Sequence, residues 1–266
     1  VICATSFDVD EVLSHFRAHG WARLGRVATD ETLERLRARA EDLMLGRVGH
    51  EGLFFQRDSA TGRYEDLVFG RGWEGPSLAY RKIEKLELDD VYRAWLENPA
   101  FERVARAYLG DAITIYRAML FNKAAGGGTD LPWHQDGGSF WGLSRDPELQ
   151  IWTALDDAPP EAGCVEVIDG SHTGGLATPL GGTVPADVAA RAGAEERAMP
   201  VPARAGEALL IHNYLWHRSG RNATGRPRRA FTTAYMRADT RCMRTRRAPR
   251  EFLRVFDRPP LPVESG

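Results

Sequence analysis

The sequence predicts an α+β protein, mainly β with flanking helices, whose strands close into a sandwich or barrel. Helical patterns occupy roughly residues 1–110, and strand patterns take over from 112 to 237. Turn clusters punctuate the second part at Gly126-Gly127-Gly128, Pro159-Pro160, Asp169-Gly170-Ser171, Gly181-Gly182 and Ala205-Gly206. No internal repeat and no linker divides the chain. Residues 1–266 therefore read as one domain, with a helical part at about 1–110 and a barrel core at about 112–237.

The elements follow in order. Asp8 to His19 is a helix with Val12, Leu13 and Phe16 on its apolar face and Gly20 as its stop. Trp21-Ala22-Arg23-Leu24 is a short strand. Thr29 N-caps a second helix, with Asp30 and Glu31 at the positive end of its dipole and Leu33, Leu36 and Leu43 striping it to Met44. Thr32 stands where a capping box needs Glu or Gln, so the cap acts alone. Phe54 to Val68 looks like a hairpin or loop around Thr61-Gly62. Asp89 to Leu109 reads as two short helices, broken at Asn98-Pro99 and stopped by Gly110. Strands follow at Ile113–Tyr116 leading into Met119–Phe121, then at Gln150–Leu155, Cys164–Ile168, Ala208–His212 and Ala230–Tyr235. Gly174 to Glu196, rich in Gly and Ala, is the expected flexible insert.

Composition excludes several classes. Thirty-five basic residues against 37 acidic ones give a net charge of −2, with no footprint for nucleic acid or an anionic membrane. The basic end, Arg237 to Arg254, reads as a solvated tail or last helix. No apolar run approaches membrane-spanning length, and Val1-Ile2-Cys3-Ala4 is too short for a signal peptide. Cys3, Cys164 and Cys242 are odd in number and far apart, which suits a reducing, cytoplasmic setting. Asn222-Ala223-Thr224 spells a glycosylation acceptor that a cytosolic protein would not use.

Chemistry concentrates in Trp133-His134-Gln135-Asp136-Gly137 and Trp216-His217-Arg218-Ser219-Gly220. His134 and Asp136 lie two apart and share one face of a strand. His217 as a third ligand completes a 2-His-1-carboxylate face, the arrangement of non-heme Fe(II) oxygenases. His212 competes with His217 for that place, and the following Arg218-Ser219-Gly220, Asn222 and Arg228 favour His217. His15 and His19 are four apart on the first helix but lack supporting ligands, and His50 sits in a Gly-flanked loop. An iron centre that activates O2 needs electrons, and neither haem ligation nor a Rossmann glycine motif is present. A keto-acid co-substrate would supply them, and its far carboxylate calls for an arginine fork. Arg228 and Arg229 both offer one, but strand neighbours face opposite sides, so only one enters the barrel.

The ordered set of Met119-Leu120-Phe121-Asn122-Lys123, Trp133-His134-Gln135-Asp136, Trp152 to Ala158, Gly163 to His172 and Gly206 to Arg228 resembles the phytanoyl-CoA dioxygenase family. The order holds from about residue 112 to 237, and Phe16-x-x-x-Gly20-Trp21 fits the family's opening. The resemblance implies a double-stranded β-helix (jelly roll, cupin-like). It implies Fe(II) held by His134, Asp136 and His217, with 2-oxoglutarate as co-substrate and O2 as oxidant. By the same resemblance Arg228 takes the far carboxylate with Ser219 assisting, Trp152, Met119 and Gln135 line the co-substrate pocket, and Lys82 stands where some members place a co-substrate lysine. Asp169 and Arg218 depart from the usual proline and glycine. Asp136 is present, whereas halogenating relatives lack that carboxylate.

The implied reaction is oxidation of a small molecule with release of succinate and CO2, by hydroxylation or by ring closure, desaturation or epimerisation. The Ala/Arg/Gly-rich composition suits a bacterial natural-product intermediate, a sugar-containing or polyketide antibiotic precursor, with oxidative ring closure between sugar hydroxyls as one concrete version. Phe140, Trp141 and Trp73 are expected near the mouth. Alternatives are a hydroxylase of an acyl thioester, a zinc hydrolase, and a non-catalytic cupin-like metal-binding module. The last would normally close its metal with a fourth protein ligand. No partner beyond the small molecule is expected, and the sequence leaves oligomeric state open.

Overall fold

The computed structural model describes residues 7–245 and 249–257. The readings at Val1 to Ala4, Cys3 included, and at 246–248 of the basic end lie outside the described residues. Helix α1 (Val9–His19) starts on the Asp8 carboxylate, which accepts from the Asp10 and Glu11 amides, and ends at Gly20 in the left-handed region. Strand β1 (Trp21–Arg26) follows, then α2 (Asp30–Met44), capped by the Thr29 hydroxyl accepting from the Thr32 amide. After β2 (Phe54–Arg57) and β3 (Tyr80–Glu84) come α3 (Asp90–Leu96), capped by Asp89, and α4 (Pro99–Leu109), capped by Asn98 with proline in its first turn.

The strand half holds β4 (Ile113–Lys123), β5 (Leu131–Gln135), β6 (Leu149–Ala154), β7 (Val165–Ile168), β8 (Gly182–Thr183), helix α5 (Ala186–Arg191) and β9 (Ala198–Val201). It closes with β10 (Glu207–His212), β11 (His217–Ser219), β12 (Arg228–Arg237) and β13 (Arg254–Val255). Two antiparallel sheets result. The larger runs β1-β10-β6-β12-β4-β3-β2, with β13 on β4; the smaller runs β8-β5-β11-β7-β9. Together they form the double-stranded β-helix, with few helices beside it.

Alternation divides the larger sheet between two cores. Leu210, Phe231, Leu120 and Ile151 face outward, where Phe16, Leu33, Leu36 and Tyr92 from the helices cover them. Their neighbours Leu209, Ile211, Ala230 and Trp152 face inward and meet Val165, Val167 and Val201 of the smaller sheet. The helices thus cover one side of the sheet and leave its inner face for the site. Truncating a core residue such as Leu36, fully buried, should cost about 2–5 kcal/mol.

Four local expectations change. Phe54 to Val68 is not a local hairpin, because β2 pairs with the distant β3. The two strand segments at 113–121 are one strand with a bulge that skips Tyr116. The Gly/Ala-rich insert carries β8, paired to β5, and α5. The described part of the basic end forms no helix. It returns along β4 through β13, with Arg250 stacked on Tyr116 and donating to its carbonyl. Asn222 is buried, its amide donating to the carbonyls of Lys123, Ala124 and Arg226, so it is no glycosylation acceptor in the folded chain. No helix among the described residues is long and apolar enough to cross a membrane.

Candidate active site

β5 and β11 are neighbours in the smaller sheet, and their register sets His134 directly opposite His217. The ring centroids lie 4.0 Å apart. Each ring donates its Nδ1–H to a backbone carbonyl two residues back, Pro132 at 2.9 Å for His134 and Leu215 at 2.8 Å for His217. A carbonyl can only accept, so this fixes the tautomer and leaves both Nε2 lone pairs free for a metal. Asp136 follows β5, pinned by its amide donating to the Asn213 carbonyl at 2.8 Å. One ligand atom from each of the three residues falls within 4.8 Å of the others.

The glycines after Asp136 are required by close approach. Gly137 has φ of 124°, and a Cβ there would sit 2.9 Å from Asp146 Oδ2. At Gly138, φ is 83° and a Cβ would lie 2.6 Å from the Leu180 carbonyl. Asp146 secures the turn by accepting from the Gly138 amide at 2.6 Å and the Tyr214 hydroxyl at 2.9 Å.

Electrostatics prepare His134 and Asp136 as ligands. Burial, reinforced by repulsion from His217, pushes His134 down to about 3 against the pull of Asp136, so the ring is neutral. Burial alone would raise Asp136, but Arg117, the two histidines and the Gln150 amide together hold it below the usual carboxylate range. Gln150 Nε2 donates to Oδ2 at 2.7 Å, and Arg117 Nη2 approaches Oδ1 at 3.4 Å. Two imidazoles and one carboxylate fit a divalent iron. Among the described residues no fourth His, Cys, Asp or Glu joins them, so the site is not a closed structural one.

A cavity of about 80 Å³ opens beside the triad, lined by His134, Asp136 and His217 together with Trp152, Ser219 and Arg228. Arg228 is 3% exposed. Its Nη2 donates to the Gly163 carbonyl at 2.6 Å, and among the described residues no carboxylate pairs with it. Burial pushes its guanidinium down to about 10. Arg229 faces the other side, bonded to Asp156 at 2.7 Å and Glu41 at 2.8 Å. Strand alternation thus selects Arg228 as the cation that enters the barrel.

Other predicted residues fall elsewhere. Gln135 does not line the cavity. It neighbours His134 on β5 and so faces away, donating to the Gly175 and Tyr214 carbonyls and accepting from the Ala177 amide. Met119 shares the inward face with Arg117 and Phe121, but it is not among the residues lining the cavity. Lys82, opposite Phe121, also turns inward yet outside the lining, where Glu84 neutralises it at 2.5 Å. Trp141 is buried, stacked on Tyr116 and 4.5 Å from the Arg117 guanidinium, so it supports the rim through Arg117. Phe140 is 67% exposed. Trp73 packs on the helical core beside His50, away from the mouth.

His212 and His217 do not share an unbroken strand. β10 ends at His212, and His217 opens β11 in the other sheet. The His212 ring packs against Phe16 and His172, while its Nδ1 accepts from the Tyr214 amide. His15 and His19 stack, and His19 bonds Asp169. Arg117 and Gln150, which hold the Asp136 carboxylate, were not singled out in the sequence. Gln150 offered the one usable signal, a polar residue at a core position of a strand.

The phytanoyl-CoA dioxygenase (PhyH) family model matches residues 16–230. Among relatives, the bovine phytanoyl-CoA dioxygenase domain-containing protein 1 is 30% identical over 159 residues, 57% of this chain and 54% of that protein. The match thus spans about half the length of that relative. The L-proline trans-4-hydroxylase of Streptomyces griseoviridis is 25% identical over 242 residues, 82% of each chain. Among solved structures, the epimerase SnoN in complex with Fe3+, alpha ketoglutarate and nogalamycin RO superposes with a TM-score of 0.68. It is 20% identical, covers 90% of this chain and 88% of its own, and shows the shared fold.

Proposed function

The chain belongs to the phytanoyl-CoA dioxygenase family of Fe(II)/2-oxoglutarate-dependent oxygenases, and on that footing we propose that it oxidises a small molecule at the expense of 2-oxoglutarate and O2. One observation carries the proposal: an open His-Asp-His triad and an uncompensated buried arginine line the same cavity. The triad suits Fe(II), and Arg228 suits the far carboxylate of a chelating 2-oxo acid. Bound there, iron and 2-oxoglutarate would supply an oxidant strong enough to break a C–H bond, with succinate and CO2 as by-products.

The protein's share is positioning. His134 and His217 present Nε2 because their Nδ1–H groups are held by carbonyls. Gln150 and Arg117 restrict the Asp136 carboxylate and keep it ionised. Trp152 and Val165 give the cavity apolar walls that exclude water, and Ser219 adds a hydroxyl near Arg228.

The substrate reading is a bacterial natural-product intermediate, a sugar-containing or polyketide antibiotic precursor, which the enzyme hydroxylates or cyclises. It is supported by the match to a streptomycete hydroxylase of a free amino acid over most of both chains, and by an Ala/Arg/Gly-rich composition. The test is succinate release that requires both Fe(II) and 2-oxoglutarate, across a panel of pathway intermediates including acyl thioesters. Absence of 2-oxoglutarate turnover with every candidate, together with absence of 2-oxoglutarate binding, would sink the reading. Turnover confined to thioesters would redirect it.

A further inference from the structure

Arg228 does not stand alone at its end of the cavity. The register of β4 and β12 sets Lys123 directly opposite it. Opposed residues of an antiparallel pair share a face with Cβ atoms about 4.5–5.5 Å apart, and like charges there destabilise the sheet. Both side chains line the cavity, Lys123 being 6% exposed. Among the described residues neither has a carboxylate at ion-pair distance. Lys123 Nζ spends one N–H on the Thr129 carbonyl at 2.6 Å. Two acids, Asp58 and Asp130, lie near enough to pull on Lys123 but beyond ion-pair distance; Asp58 Oδ1 accepts from the Thr129 amide and hydroxyl, each at 2.8 Å. A third cation adds to the field. The β2–β3 register skips Arg81, whose guanidinium lines the same cavity and bonds Gln56 at 2.7 Å.

An apolar residue at position 123 would avoid this repulsion and fill the same space. Two buried cations face to face make sense when an anion enters between them, since a carboxylate has two oxygens and can accept from both. We propose that Lys123 is a second ligand for the far carboxylate of the 2-oxo acid. With Arg228 it forms a two-cation clamp that selects dicarboxylic over monocarboxylic 2-oxo acids. This inference rests on the reading of the cavity as a 2-oxoglutarate site. Among the described residues Lys123, unlike Lys82 with Glu84, has no carboxylate at ion-pair distance.

The test is equilibrium binding to the Mn(II)-loaded protein without oxygen. 2-Oxoglutarate and 2-oxopentanoate, which has the same chain length but no far carboxylate, are titrated into wild type, Lys123→Met and Lys123→Arg, with melting temperatures recorded alongside. Lys123→Met should weaken 2-oxoglutarate about tenfold or more, the loss of one charge-assisted contact. It should leave 2-oxopentanoate unchanged, and its ligand-free melting temperature should equal or exceed wild type because the repulsion is gone. Lys123→Arg should recover most of the 2-oxoglutarate affinity. Equal losses for both acids with a lowered melting temperature would overturn the clamp and leave Lys123 as an anchor for the Thr129 loop. Unchanged 2-oxoglutarate binding in Lys123→Met would overturn it as well. A wild-type protein that binds no 2-oxoglutarate would overturn the function reading and the clamp with it; the other two outcomes leave the function reading intact.

Discussion

The two sheets face one cavity and contribute opposite things to it. The smaller sheet supplies the metal ligands through β5, its following turn and β11, and each ligand arrives with its orienting partners in place. The inner face of the larger sheet supplies Arg228 and Lys123 on β12 and β4, cations with no carboxylate at ion-pair distance among the described residues. One region is satisfied except for the lone pairs that its ligands keep for the metal; the other holds cations that no carboxylate among the described residues pairs directly. The difference teaches where binding energy for the co-substrate comes from. The triad defines a point, and the strained cations of the opposite wall define the direction in which an anion must extend from it.

The contrast can be broken most severely at the metal end. Asp136→Ala removes the only carboxylate of the triad, so metal affinity and succinate formation should fall by more than the roughly 10–100-fold that loss of an outer-sphere partner costs. The melting temperature should hold, because the residue stands at the cavity rather than in the apolar core; metal titration beside thermal unfolding reads both. Retained oxygenase rates would show that the smaller sheet does not hold the metal.

At the larger sheet, Arg228→Ala should raise the 2-oxoglutarate requirement by roughly thirty-fold or more, since such a contact is worth about 2–5 kcal/mol and each decade is about 1.4 kcal/mol. Arg229→Ala should scarcely change that requirement, because its guanidinium serves Asp156 and Glu41 outside the barrel. It should lower stability by about 1–3 kcal/mol instead. Co-substrate titrations and urea midpoints of the two variants separate these effects, and equal co-substrate sensitivity would remove the facing argument.

A smaller effect sharpens the choice of histidine. Burial, then His172, pushes His212 down from 6.5 to about 4. The unfolded chain therefore takes up this proton below about pH 6.5, while the folded chain resists until near pH 4. Stability tied to His212 is present above 6.5 and is lost as pH falls through that window, by up to about 3 kcal/mol at 1.36 kcal/mol per unit. His212→Phe should flatten this part of the acid unfolding profile and leave metal affinity unchanged; a variant that lost the metal would reverse the assignment of the distal ligand. The smallest expected change is in co-substrate affinity for Gln135→Ala, which should stay within about twofold because the side chain faces away from the cavity. Its lost bonds should instead loosen the Gly175–Ala177 segment, read by limited proteolysis or hydrogen exchange.

Much of this molecule could be read along the chain. Thr29 and Gly20 fix helix ends through bonds made within a few residues, so those caps were legible. His134 and Asp136 announce a shared face by their spacing, and Arg228 and Arg229 announce that only one of them can enter the barrel. Period-2 alternation is a local property of the backbone, and it survives folding. The same alternation turns Gln135 away from His134, against the pocket role that the resemblance implied.

What folding alone decided is register and the break between sheets. Nothing local says that His212 ends a strand of one sheet while His217 begins a strand of the other. Nothing local says that His217 will stand opposite His134 or Lys123 opposite Arg228, about a hundred residues apart in the chain. The bulge that turns Arg81 into the cavity, and the long-range pairing of β2 with β3, are likewise set by which strand lies alongside. The sequence determined which chemistry the chain carries and on which side of each strand it lies. The tertiary structure decided which groups meet, because pairing across strands is fixed by the packing of the whole sheet rather than by any stretch of it.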